Sequence, residues 1–191
     1  MQNTLTEMLR ESAAVKTALA ETMAAQIAHF AEWMTETYRG GGKVVLFGNG
    51  GSMCDANHIA EELVGRYKME RRALPAMAFS ETSVITALAN DYGYDTIFRR
   101  QVEAWVTAKD LTVGLTTSGR SVNVREGLRL AREKGARTVA LTGAGGESLS
   151  DVSDLVIVVP THNVPRIQEC HITIGHIVCE ITERAIFGGA A

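Results

Sequence analysis

The sequence predicts an α/β protein, with a five-stranded parallel sheet flanked by helices and a long helical segment ahead of it. Three observations carry this expectation. Residues 3 to 39 contain neither Gly nor Pro. After Gly42, short apolar runs alternate with helical stretches. Those runs are continuously apolar, the pattern of strands buried on both faces.

The leading segment, 1–39, is dominated by Ala, Leu, Met, Glu and Lys, all good helix formers. Leu5, Met8, Leu9, Val15, Leu19, Met23, Ile27, Phe30 and Met34 recur at helical spacing. Gly40-Gly41-Gly42 stops the helix. At ~1.5 Å per residue an unbroken helix here is ~55 Å long, more than the body of such a domain spans. Either part of its apolar face packs on another subunit, or the segment breaks into two helices.

The core is expected over 43–187. Strands are read at Val44–Phe47, Pro75–Phe79, Leu111–Leu115, Thr138–Leu141 and Leu155–Val159. Helices are read at 53–67, 82–90, 95–107 and 122–134, with a short helix or turn at 146–151. A last helix runs from about Pro165 to Phe187, with Pro in its first turn and Gly188-Gly189 as its stop.

The 191 residues suit one domain, 1–191, with a full core. The net charge of −3 carries none of the basic footprint of a nucleic-acid binder. Arg71-Arg72 and Arg99-Arg100 read as solvated or ion-paired rather than as a patch. Cys54, Cys170 and Cys179 are odd in number and form no CxxC, so they read as reduced thiols of a cytoplasmic protein. Met1 to Ser12 is polar and mixed in charge, unlike a secretory signal, and no membrane span is expected.

Ligands of a parallel sheet sit beyond the carboxyl ends of its strands. Two loops there stand out. Gly48-Asn49-Gly50-Gly51-Ser52 follows the first strand and offers backbone N–H donors to an anion. It is no dinucleotide fingerprint, since Met53 stands where Gly is needed, and no Walker loop, since no Gly-Lys-Ser/Thr follows. Thr116-Thr117-Ser118-Gly119-Arg120-Ser121 sets four hydroxyls between a strand and a helix. Hydrogen bonds to a charged group contribute ~1.5–3 kcal/mol each, so such a loop can hold a phosphate without a lysine. Plain turn and cap chemistry is the alternative, because Ser and Thr are common N-caps.

His58 and Glu62 lie one turn apart on one helix face, either as an acid/base or metal pair or as an ordinary surface pair. His176 sits in an apolar helix, with Glu180 four residues on as a competing partner; spacing leaves His171 and His162 open as rival ligands. A phosphate cradle near an imidazole and a carboxylate points to chemistry on a phosphorylated small molecule.

Four pieces in order make the chain resemble the SIS (sugar isomerase) domain, and within it the phosphoheptose isomerase family. They are GNGGS with D-A-x-H-x-A-x-E-L (Gly48 to Leu63), A-N-D-Y-G (Ala89 to Gly93), T-S-G-x-S (Thr117 to Ser121) and R-I-Q-E-x-H-I-x-I-G-H (Arg166 to His176). The resemblance implies a single SIS domain whose 1–39 segment serves oligomer packing. It implies interconversion of sedoheptulose 7-phosphate and glycero-manno-heptose 7-phosphate, for surface-glycan heptose. Asn49, Gly50, Gly51 and Ser52 would line the sugar-phosphate site, with Gln168 also in contact. Asn90 and Asp91 would meet substrate hydroxyls, and Thr116, Thr117, Ser118 and Ser121 would grip the phosphate. His58, Glu62, Gln168 and His176 would ring one zinc ion per subunit, with Glu62 and His176 as the proton-transfer pair. A homotetramer with sites at subunit interfaces is implied too.

The chain departs from the family's phosphate loop, having Thr116 for Ser and Arg120 for Asn. Other SIS relatives are non-catalytic adaptors, one binding a replication initiator protein, or sugar-phosphate-sensing regulators; an isomerase for another sugar phosphate is a further alternative. The presence of both Glu62 and His176 argues against an adaptor, and no separate DNA-binding segment is visible.

Overall fold

The computed structural model describes residues 1–189. The first element, α1 (Gln2–Arg39), is one unbroken helix, so the segment does not break into two. Its C-terminal half buries Ile27, Phe30, Ala31 and Met34, whereas Leu5, Met8 and Leu9 are exposed.

The strands are β1 (Val44–Gly48), β2 (Ala76–Ala78), β3 (Leu111–Thr116), β4 (Arg137–Gly143) and β5 (Leu155–Val159). They pair in parallel in the order β2-β1-β3-β4-β5. β2 is shorter than the sequence pattern predicts. Pro75 has no N–H for a ladder, though its carbonyl accepts from Val44 N–H at the sheet edge.

The remaining helices are α2 (Gly51–Val64), α3 (Thr82–Tyr92), α4 (Ile97–Trp105), α5 (Val122–Glu133) and α6 (Val164–Phe187). α2 begins two residues earlier and ends three earlier than expected, bounded by Gly50 at φ +56° and by Gly65. The 95–107 stretch divides into a 3₁₀ turn, Tyr94–Thr96, and α4; 146–151 is a second 3₁₀ turn, Glu147–Asp151.

One face of the sheet packs against α1, α2 and α6 through Leu46, Val113, Leu115, Leu141, Ile59, Leu63 and Ile174. The other packs against α4 and α5 through Val45, Phe47, Ala140, Phe98, Val102, Val124 and Leu128. α3 buries no residue completely, although Ile85, Leu88 and Ala89 touch this second core. All three cysteines are free, Cys54 exposed and the other two buried. No helix among the described residues is long and apolar enough to cross a membrane.

Candidate active site

The strand order reverses between β1 and β3, whose following helices lie on opposite faces. A crevice opens there at the carboxyl edge. The two loops singled out above, 48–52 and 116–121, are the ones that border it. Asn49 and Asn123 bridge the crevice with reciprocal amide hydrogen bonds, both 2.9 Å. Tyr94 Oη donates a third bond to Asn49 Oδ1 at 2.9 Å. Both lone pairs of that oxygen are thereby used, leaving the Asn49 side chain one N–H for a ligand. Asn123 and Tyr94 carried no signal in the sequence, because only folding sets them against Asn49.

In the second loop the Thr116 and Ser121 hydroxyls pair with each other at 3.1 Å. Ser121 is the N-cap of α5 but makes no side-chain cap bond. Ser118 Oγ accepts from the Arg120 N–H at 3.3 Å. Gly119 turns the loop at φ +69°, and a Cβ there would lie 2.5 Å from Gly146 Cα. A cavity of about 210 Å³ adjoins the loop, lined by Thr117, Ser118, Arg120, Ala144, His162 and Val164. His162 therefore lies beside the 116–121 loop, and Arg120 shares that cavity.

α2 and α6 run side by side from the carboxyl edge. Gly51 meets the Gln168 amide, since a Cβ at Gly51 would lie 2.1 Å from Gln168 Nε2. Gly175 meets Ile59, where a Cβ would lie 2.5 Å from Ile59 Cγ1. This close approach lets α6 deliver His176 to the α2 face that carries His58 and Glu62. His58 Nε2 is 3.3 Å from Glu62 Oε1, His176 Nε2 is 3.8 Å from the same oxygen, and the two imidazole Nε2 atoms are 3.5 Å apart.

Among the described residues, these three form a donor set whose atoms lie within 4.8 Å of one another. Zinc bonds of ~2.0–2.1 Å in a tetrahedron put neighbouring donors ~3.4 Å apart. The three separations bracket that value, so the residues fit zinc. Gln168 stands apart from the set: its amide is at the first turn of α2, while His58 is seven residues, ~10 Å, further along that helix.

The other histidine and acidic candidates separate cleanly. His171 is fully buried on α6. Burial pushes its imidazole down to about 4, against a weaker opposing pull from the Thr142 backbone. Glu180 is held by Lys68 at 2.8 Å and pairs with Arg184 rather than with His176. Asp55 lies one turn before His58 on α2; burial raises its carboxyl to about 6, opposed by His58, and one of its oxygens is buried without a partner. Asn90 donates to Asp91 at 2.8 Å on the exposed last turn of α3, across the sheet from the His58–Glu62–His176 set.

The sequence profile of the SIS domain matches residues 7–143. A curated relative, the phosphoheptose isomerase of Geobacter sulfurreducens, is 51% identical over 188 residues, 98% of this chain and 100% of that protein. Among solved structures, a phosphoheptose isomerase from Neisseria gonorrhoeae superposes with a TM-score of 0.89 at 35% identity, covering 95% of this chain and 98% of the other. One from Francisella tularensis gives 0.91 at 33% identity, covering 96% and 98%.

Proposed function

Because this chain belongs to the phosphoheptose isomerase family of SIS-domain proteins, we propose that it converts sedoheptulose 7-phosphate to D-glycero-D-manno-heptose 7-phosphate. It is a sugar-phosphate isomerase, and its product would supply heptose for surface glycan. The observation that carries the proposal is the convergence of Glu62 and His176, from two helices, on one point beside His58.

Aldose–ketose isomerisation moves a proton between C1 and C2 through a cis-enediol. Glu62 serves as the base at carbon, and His176 completes the proton-transfer pair as the acid at oxygen while its Nε2 is off the metal, each such group contributing ~10²–10⁴-fold. Both imidazole contacts use Oε1 of Glu62. His58, Glu62 and His176 would hold zinc, which would supply positive charge that favours the developing enediolate. The amide of Gln168, the fourth ligand expected from the sequence, lies at the first turn of α2 and would contact the sugar instead.

The 116–121 loop holds the phosphate through Thr116, Thr117, Ser118 and Ser121, with Asn49, Gly50, Gly51, Ser52 and Gln168 around the sugar. Asn90 and Asp91 contact hydroxyls. The enzyme works as a homotetramer with sites at subunit interfaces, for which the exposed Leu5, Met8 and Leu9 of α1 offer an apolar face. A cytoplasmic setting fits the substrate and the free thiols.

Incubation of the protein with sedoheptulose 7-phosphate in D₂O tests the reaction. Deuterium at C2 of the aldose product is expected. Its absence, with the ketose unchanged, would remove this assignment and favour an isomerase for another sugar phosphate or a non-catalytic adaptor.

A further inference from the structure

The segment between α2 and β2 is irregular yet tightly held. The backbone N–H groups of Tyr67, Lys68 and Met69 all donate to the Glu183 carboxylate, at 3.2, 2.9 and 3.0 Å. Arg71 Nε adds a fourth bond at 2.8 Å, and both charged side chains are only 2% exposed. The same guanidinium donates through Nη2 to the Glu62 carbonyl and through Nη1 to the Leu63 carbonyl, both at 2.9 Å. Glu183 therefore pins this loop to α6, and Arg71 pins it to the end of α2.

The pinned loop carries Tyr67 to His176. Their ring centroids are 5.7 Å apart, with the planes tilted by 36°. On its other contact the His176 ring meets His58 edge-on, with centroids 5.0 Å apart at 76°. Lys68, next in the loop, draws Glu180 to itself at 2.8 Å and so removes the carboxylate nearest His176 on its own helix. Nothing in the proposed chemistry has yet used Tyr67, Lys68, Arg71 or Glu183.

The geometry points to Tyr67 as a positioning residue: held by the Glu183 carboxylate, its ring fixes the His176 imidazole with Nε2 facing Glu62 and His58. This rests on the function proposed above. The ring of a free histidine turns about its side-chain bonds, and each donor must be locked by neighbours to present the same atom at all times. Tyr67 supplies that lock through its ring, packed at a tilt beside the imidazole, so the aromatic ring, and not the hydroxyl, is the required part.

Tyr67→Ala and Tyr67→Phe, with the wild-type protein, separate this role from a merely structural one. Zinc affinity is read by chelator competition, and kcat and KM with sedoheptulose 7-phosphate. The alanine variant is expected to lose 10–100-fold in zinc affinity and a similar factor in kcat, the usual effect of removing support behind a ligand, with KM within about twofold. The phenylalanine variant is expected to keep both within about threefold. A merely structural role would lower the folded fraction and leave the zinc affinity of the folded protein unchanged. If the alanine variant matches wild type in zinc affinity and kcat, or if phenylalanine is as damaging as alanine, the assignment to the ring is overturned. A wild-type chain that neither binds zinc nor isomerises overturns the function proposed above instead, which is a distinct result.

Discussion

His58 and His176, 118 residues apart in the chain, face each other with their Nε2 atoms 3.5 Å apart. Two imidazoles at this distance make a hydrogen bond only if one ring nitrogen is protonated and the other is not. With the Glu62 carboxylate oxygen completing the triangle, a cation satisfies all three lone pairs at once. The outward faces of α2 and α6 thus converge on a point that neither helix could build alone.

Zinc removal follows directly. Dialysis against a strong chelator should abolish turnover, and stoichiometric zinc should restore it. His58→Ala should weaken zinc binding by at least tenfold while the fold persists, because the His58 side chain is 47% exposed. Zinc content measured on the purified variant and on wild type checks this.

Replacing Glu62 with Gln keeps the shape and removes the proposed base. A loss of ~10²–10⁴-fold in kcat is expected, with sugar-phosphate binding retained. Calorimetric titration with the substrate, beside the rate, separates the two effects. Near-normal turnover would take Glu62 out of the base role.

Gly175→Ala acts on the helix pair. The added methyl would sit 2.5 Å from Ile59 Cγ1, so α6 must move away from α2. Overpacking of this kind costs about 1–3 kcal/mol, and a lower urea midpoint is expected. Since His176 is the next residue, kcat should fall further than the folded fraction does.

Gly119→Ala tests the phosphate loop. The position combines φ +69° with a Cβ site 2.5 Å from Gly146 Cα, so a side chain forces the loop open. The expected signature is a rise of tenfold or more in KM for the phosphorylated sugar, with kcat less affected. Steady-state rates across a substrate series give the answer.

His171 sets an acid limit on stability. Burial holds its imidazole at about 4 in the folded chain, whereas an unfolded histidine titrates near ~6.5. Between those values the unfolded state binds the extra proton, so stability falls as pH drops from ~6.5 toward 4, by about 3 kcal/mol in total. Urea unfolding at a series of pH values should show this decline. His171→Leu should flatten that part of the curve, and an unchanged slope would remove His171 as its cause.

Much of the architecture was legible in the chain. Continuous runs such as Val44–Phe47 and Leu111–Leu115 read as doubly buried strands because both sheet faces are covered. The glycine-free stretch up to Arg39 read as helix, and it is one. What was less legible turned on local geometry. Pro75 shortened β2, and Gly50 moved the start of α2 back to Gly51.

The candidate site divides along similar lines. His58 and Glu62 were readable as a pair because helical spacing sets their faces, and the hydroxyl loop was readable because residue type alone supplies its donors. His176 was ambiguous in sequence among three histidines of the last segment. The fold resolved this by burying His171, leaving His162 beside the 116–121 loop and turning His176 toward α2.

The chain by itself determined the parallel α/β plan, the two anion-suited loops and the residue types of the site, since periodicity and side-chain chemistry are local properties. Tertiary structure alone decided which donors meet. The close approach of α6 to α2 depends on a missing Cβ at Gly175, Glu183 gathers three backbone amides of the loop after α2, and Asn49 spans the crevice to Asn123 on α5. Each of these joins groups far apart in sequence, and only packing brings them within bonding distance.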